Sequence, residues 1–340
     1  MNAHHPLWKS LAFPFLFSLG LASCQKQGAL PATVSNSTLK TALTVYPVPA
    51  ITWWSTPAAI PYTDNIPGDK PVENQYVHGF AINGKGYALG TLLTNQKWGL
   101  NSGCPDLWQW DPATPGWSRK SPFPANPYGL EFGASFVIGA NAYVVTIDNH
   151  VYQYNQPGDQ WTEKSPVPGG IHRGNPSCFA INGLGYLGMG FTDGSDVELN
   201  DWWQYDPVAD HWSQLHNFPG EKRDGAGCFA IGGQGYIVGG YGNNGFGVSV
   251  WQYDPGSDHW TKKSNFPGTS QYMPAAAVGT INGVDCGFIA GDQAWQYNPA
   301  SDTWGQLLHY PGAQHAPGGF VVGNSFFICS IDVVAFNWSK

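Results

Sequence analysis

Arg223-Asp224-Gly225-Ala226-Gly227-Cys228-Phe229-Ala230-Ile231-Gly232-Gly233-Gln234-Gly235-Tyr236-Ile237-Val238-Gly239-Gly240 decides the fold, with its sequel Val250-Trp251-Gln252-Tyr253-Asp254-Pro255 and Trp260. Two short apolar runs flank Gly232-Gly233, the pattern of a β-hairpin. A third run ends in Asp254-Pro255, where Pro fixes φ and Asp bonds nearby amides, so the chain turns and a fourth strand carries Trp260.

The same unit recurs along the chain. Hairpins begin near Gly79, Gly133, Ser177, Gly227, Ala275 and Pro317. The aromatic strand recurs at Trp108, Tyr152, Trp203, Trp251 and Trp295, with a decayed copy at Val334-Ala335-Phe336-Asn337. Successive copies lie 44, 51, 48, 44 and 39 residues apart, the period of a four-stranded blade. A Trp with a Pro seven residues later closes five units: Trp117, Trp161, Trp212, Trp260 and Trp304. The sixth such pair, Trp54 and Pro61, stands at the opposite end of the chain. One four-stranded sheet cannot bury both its faces, so the blades must stack around an axis. The displaced sixth Trp predicts an all-β, six-bladed β-propeller whose last blade is completed by an N-terminal strand, leaving no open sheet edge. Gly239-Gly240 is expected to admit a neighbouring aromatic and to adopt unusual dihedrals. The Tyr253/Trp260 pair is expected to fill the seam between blades.

Composition agrees. The 340 residues include 44 Gly and 27 Pro, too many for a helical protein, while only 38 side chains are charged against 42% apolar residues, which excludes disorder. The net charge of −8 is spread out, and without a Lys/Arg cluster no nucleic-acid partner is expected.

Arg-x-Gly-x-Gly, a hairpin ending in Gly-Gly, then Tyr-Asp-Pro and Trp resembles the kelch repeat, most closely in the fourth unit (Arg223 to Trp260). The whole is similar to bacterial kelch lipoproteins loosely labelled galactose-oxidase-like. Units two, five and six depart from the pattern, with Val144-Val145, Ala290-Gly291 and Ile328-Cys329 in place of Gly-Gly.

Residues 1–23 read as an export signal. Lys9 precedes an apolar run from Leu11 to Leu21, too short to span a bilayer, and Leu21-Ala22-Ser23-Cys24 resembles a lipobox. Cleavage before Cys24 and its acylation would anchor the chain to the membrane. Residues 24–50, polar and without period, read as a tether, and 51–340 as the propeller. The remaining cysteines, Cys104, Cys178, Cys228, Cys286 and Cys329, form no C-x-x-C motif and read mostly as small buried hydrophobes, with pairing open to them outside the cytosol.

No nucleophile elbow, phosphate loop or Asp-box stands in the sequence. The ten histidines are scattered, His78 and His150 among them, so neither a metal nor a cofactor is expected; copper-dependent oxidation of the galactose-oxidase type, which needs two Tyr, two His and a Cys brought together, is the least favoured alternative. The acidic loop Asp193, Asp196, Glu198 and Asp201 lacks the spacing of a calcium loop and reads as a solvated turn. Function is therefore expected on the loops. Arg173 and Arg223 hold equivalent places six residues before Phe179 and Phe229, where two guanidinium forks facing an axial funnel would suit a carboxylate. His172, Glu131, Glu221, Tyr272 and His315 share those connections, and Trp98 and Phe246 lie on the loops between second and third strands, which are expected to project on the same face. The expected function is a lipid-anchored cell-envelope binding module that recognises a glycan or an envelope protein through the loop face. The alternative implied by the resemblance is a metal-free mutarotase acting on sialic acid at its anomeric carbon, with Arg173 and Arg223 on the carboxylate and Glu131, Glu221 or His172 moving protons.

Overall fold

The computed structural model describes residues 52–55, 76–91, 106–125, 127–130, 132–195, 197–269, 273–291, 293–307, 318–329 and 333–337. The regular structure among them is antiparallel strand throughout, apart from one 3-10 turn at Pro127–Leu130. Six four-stranded sheets follow the six repeats. Blade one runs from Tyr76–Ile82 to Trp117–Arg119, blade two from Ala134–Ile138 to Gln160–Lys164, and blade three from Ser177–Ile181 to His211–Gln214. Blade four holds Gly227–Ile231, Gln234–Val238, Val250–Asp254 and His259–Lys263, and blade five runs from Ala275–Ile281 to Thr303–Leu307.

Blade six is assembled from both ends of the chain. Gly318–Val322, Ser325–Cys329 and Val333–Asn337 are joined by Thr52–Ser55, with Trp54 opposite Ala335. The first strand of every blade packs against the first strands of the blades before and after it, and that of blade six lies against that of blade one. At this last junction Gly79 and Gly318 approach so closely that a Cβ on either would meet the other strand's backbone.

The seams between blades follow one rule of sizes. A Cβ placed on Gly185, Gly235 or Gly287 would overlap Phe136, Phe179 or Phe229 of the preceding blade, and one on Gly86 would overlap Phe320 of blade six. Between blades five and six the sizes are exchanged: Phe326 takes the glycine's register place and packs beside Ala277, which takes the phenylalanine's. A large ring and a small partner thus fill each such seam, whichever strand carries which. The room for the neighbouring aromatic therefore comes from the glycine in mid-strand, Gly235, and not from Gly239-Gly240. That pair serves the backbone instead, with φ of 69° and 93°.

A second device ties blades two to five to their predecessors. The hydroxyls of Tyr154, Tyr205, Tyr253 and Tyr297 donate to Asp159, Asp210, Asp258 and Asp302 at 2.6–2.8 Å, each Asp held in the left-handed region at φ 49–52°. The same carboxylates accept a backbone N–H from the previous blade, at Ser121, Ser165, His216 and Ser264. Bonds to a charged acceptor contribute about 1.5–3 kcal/mol each. The Tyr rings pack at a tilt against the repeat Trp, with centroids 4.8 Å apart between Tyr253 and Trp260, as the seam-filling reading expected.

Candidate functional site

The connections leading into the first strands converge at one mouth of the ring. Phe132, Asn175, Gly225 and Met273 each stand two residues before a first strand, and all four adopt left-handed backbone, at φ 63°, 50°, 59° and 49°. That conformation turns their amides around the axis. Asn175 N–H donates to Phe132 O at 2.7 Å, Gly225 N–H to Asn175 O at 3.0 Å, and Met273 N–H to Gly225 O at 2.7 Å. A left-handed turn costs an ordinary L-residue of the order of 1 kcal/mol, so its repetition in four blades marks a built collar.

Inside this collar lies a cavity of about 130 Å³. Blade one supplies Val77 and His78, blade two Leu130, Phe132 and Gly133, blade three Asn175 and Pro176, blade four Gly225 and Ala226, and blade five Met273 and Pro274. Asn175 Nδ2 donates to Asp224 Oδ2 at 3.1 Å, so a carboxylate with 1% exposure fixes the amide against the wall. His78 Nε2 donates to Leu130 O at 2.9 Å, which leaves Nδ1 as the ring's acceptor. Burial lowers the imidazole below its ordinary value of 6.5, only partly opposed by the Leu130 carbonyl, so at neutral pH the ring is uncharged. The wall offers apolar patches from Val77, Leu130, Pro176, Met273 and Pro274 beside a few fixed polar atoms, the mixture that suits a small polar ring with apolar faces. Its volume admits one such ring or a part of it, well below a drug-sized pocket of about 300 Å³ or more.

The arginine pair stands elsewhere. Arg173 is 1% exposed; its Nη1 donates to Met189 O at 2.6 Å and to Asp201 Oδ1 at 2.7 Å, and its Nη2 to Asp201 Oδ2 at 2.6 Å. Burial alone would raise Asp201, but the bond and charge of Arg173, joined by the Trp203 indole, hold it below the ordinary carboxylate range. Arg223, 5% exposed, donates through Nε to Glu221 O at 3.0 Å and through Nη1 to Gly239 O at 2.7 Å, with Phe218 stacked 5.2 Å from its carbon. Neither lines the axial cavity. The expected pair of forks facing the funnel is thus corrected: both guanidiniums turn sideways, Arg173 onto Asp201 and the Met189 carbonyl and Arg223 onto the Glu221 and Gly239 carbonyls.

The other described candidates act within their own blades. Glu221 Oε1 accepts from Asn244 N and Nδ2 at 2.9 and 2.7 Å, closing the loop that bears Phe246. His172 lies 3.9 Å from Asp193, both exposed. Short ladders explain the pairing: Arg173–Gly174 runs against Phe191–Thr192, and Arg223–Asp224 against Tyr241–Gly242, which in turn pairs with Gly245–Phe246. The acidic loop is therefore not simply solvated, because Asp201 holds Arg173 and Glu198 is 9% exposed. Phe246 is half exposed, edge-on to Tyr241 at 5.1 Å, and remains accessible for recognition. Glu131, Tyr272, His315, Trp98 and Cys24 lie outside the described residues. Among the described residues no group of three or more His, Cys, Asp or Glu is placed to hold a metal ion, and no helix is long and apolar enough to cross a membrane.

Comparison with known proteins agrees with this architecture. The kelch motif family matches residues 222–267, the blade-four unit with its leading arginine. The solved structure of YjhT superposes with a TM-score of 0.60 at 15% identity, covering 77% of this chain and 91% of that one. The chain is a kelch-repeat β-propeller. An N-acetylneuraminate epimerase of Pasteurella multocida (strain Pm70) is 31% identical over 106 residues, which is 29% of this chain and 27% of the relative.

Proposed function

We propose that the protein binds a small carbohydrate at the axial mouth of the propeller, as a cell-envelope module anchored through acylated Cys24. The observation that carries the binding site is the His78 imidazole, uncharged and with Nδ1 left as an acceptor, in a cavity that five blades build together. A sugar hydroxyl donating to Nδ1, with its C–H face on Leu130 or Met273, would satisfy both kinds of wall. A single such bond contributes about 1 kcal/mol, so affinity would draw equally on the apolar faces. The anchor rests on the Leu21-Ala22-Ser23-Cys24 signature. Cys24→Ser in a bacterial host should move the protein from the membrane to the soluble fraction, and continued membrane recovery would contradict the anchor.

Saturation-transfer NMR of the purified protein against a panel of monosaccharides, neutral and acidic, tests the site. At least one sugar should show transfer, and His78→Phe should weaken it about five- to tenfold while the thermal melt stays cooperative. Silence across the panel, or binding indifferent to His78, would sink the reading.

The similarity to N-acetylneuraminate epimerase favours a second reading, anomeric epimerisation of sialic acid. His78 then acts as the base: Nδ1 takes the proton of the anomeric hydroxyl as the bond from the anomeric carbon to the ring oxygen breaks, and the departing oxygen takes a proton from water. On reclosure from the other face that hydroxyl gives its proton back to water while the imidazolium protonates the former ketone oxygen. No metal or cofactor is needed. Accelerated exchange between the α- and β-anomers of free N-acetylneuraminate, lost in His78→Phe, is the expected result. Exchange at the uncatalysed rate, with binding retained, would leave the module without an enzymatic role.

A further inference from the structure

Two cysteines meet on the axial wall of the ring. Cys178 and Cys228 are each the second residue of a first strand, Ser177–Ile181 in blade three and Gly227–Ile231 in blade four, and those strands lie side by side. Phe179 and Phe229 fill the seams with the following blades, so the alternation of a strand turns Cys178 and Cys228 toward the preceding ones, Cys178 against blade two and Cys228 against blade three. The amide of Cys178 donates to Cys228 Sγ at 3.3 Å, while Cys178 Sγ donates to Ser135 O at 3.1 Å. A rotation about the Cα–Cβ bond of Cys178 brings its sulfur from Ser135 toward Cys228. Both are thiols in this structure, as are Cys286 and Cys329, which sit in separate packing clusters.

We propose that Cys178 and Cys228 are a redox pair that closes to an inter-blade disulfide under oxidising conditions. Cys228 is the attacking group: it is half-buried and its sulfur accepts the Cys178 amide, which favours its thiolate. Its Sγ attacks one sulfur of a small disulfide such as oxidised glutathione. The S–S bond breaks, the first thiolate leaves with the bonding pair, and a mixed disulfide forms at Cys228. Cys178, partnered to Cys228 and buried, holds its proton until that step. It then loses the proton, attacks Cys228 Sγ, and expels the second thiolate. Two protons and two electrons thus pass from the pair to the oxidant, which ends as two thiols.

The bond would clasp blades three and four two to three residues from Asn175, Pro176, Gly225 and Ala226 of the collar. It would close a loop of 50 residues, a span over which a cross-link restricts the unfolded chain strongly. The test is thiol trapping on the full chain, equilibrated with oxidised or reduced glutathione and then alkylated and weighed intact. After oxidation the protein should lose two hydrogens and two alkylation sites, and a proteolytic map should yield one cross-linked pair containing Cys178 and Cys228. The oxidised form should also melt several degrees higher. In Cys178→Ser the reaction should stop at a stable glutathione adduct on Cys228. Full alkylation after oxidation, a cross-link to Cys104, Cys286 or Cys329, or no adduct in Cys178→Ser would each overturn the proposal.

Discussion

Replacing Arg173 by methionine should lower stability by about 3 kcal/mol or more, the range found when one partner of a buried ion pair is removed. The substitution deletes the bidentate bond to Asp201 and the bond to the Met189 carbonyl, and it leaves the Asp201 carboxylate to the Trp203 indole. Asp201 keeps some contact with water, its side chain being 20% exposed, so the loss sits at the lower end of about 3–5 kcal/mol. For a domain of this size that is a fall in Tm of roughly 6–12 °C. The pH dependence should change as well. In the wild type the Asp201 carboxyl is depressed, so its stabilisation is complete above the ordinary value of 3.8 and is lost as pH falls through the lowered one. In Arg173→Met burial, opposed by the Trp203 indole but no longer by the guanidinium, raises that carboxyl relative to the wild type, so the deficit should be smallest near pH 4 and widen toward neutrality. Thermal melts from pH 3.5 to 7.5 give both curves; a deficit independent of pH would show that Arg173 acts by packing alone. Sugar binding at the axial mouth should persist in the folded variant, since Arg173 does not line the cavity.

Gly235→Phe should be at least as damaging. A Cβ at this position already overlaps the Phe179 ring, which is 4% exposed and has no space to withdraw into, so the added ring forces two blades apart. Overpacking typically costs about 1–3 kcal/mol, and an entire aromatic ring belongs at or beyond the top of that range. The exchanged seam between blades five and six indicates the remedy. There Phe326 occupies the glycine's place beside Ala277. Gly235→Phe combined with Phe179→Ala should therefore recover most of the stability and melt above both single variants. Denaturant unfolding of the four proteins yields the coupling energy, expected to be favourable and about 2 kcal/mol or more. Additive losses would mean that the seam does not obey the size rule.

The ring was legible in the sequence because the repeat carries its own punctuation. Gly232-Gly233 marks a hairpin, Asp254-Pro255 a turn and Trp260 a fourth strand, and Trp54 standing apart from the other copies foretold the strand that completes blade six. The seam glycine was misplaced from Gly235 to Gly239-Gly240 because a doublet stands out by eye, whereas the packing demand falls on a single residue two places after the hairpin turn. The aspartates Asp159, Asp210, Asp258 and Asp302 blend into the polar turns around them, although each lies five residues after the repeat tyrosine. The site was less legible for a physical reason. Arg173 and Arg223 look free in a sequence, but an arginine beside a left-handed turn meets carbonyls that the turn has exposed, and satisfying them takes precedence. His78 looks isolated in the sequence because Leu130, whose carbonyl it bonds, and the residues that share its cavity, Asn175 and Met273, come from other blades. Aligning the repeats on Phe80, Phe136, Phe179 and Phe229 places His78 beside the collar residues; that alignment was the signal available.

The central claim is that His78 presents an uncharged imidazole with Nδ1 directed to a ligand at the axial mouth. Its direct test is the ring ¹⁵N spectrum of His78 in the uniformly labelled protein, followed with pH and with added N-acetylneuraminate and neutral monosaccharides. The expected spectrum shows the Nε2–H tautomer persisting below pH 6.5, and an Nδ1 resonance that shifts in a saturable way with at least one sugar. A ring that titrates at or above 6.5, or an Nδ1 resonance unmoved by every sugar, would contradict the claim.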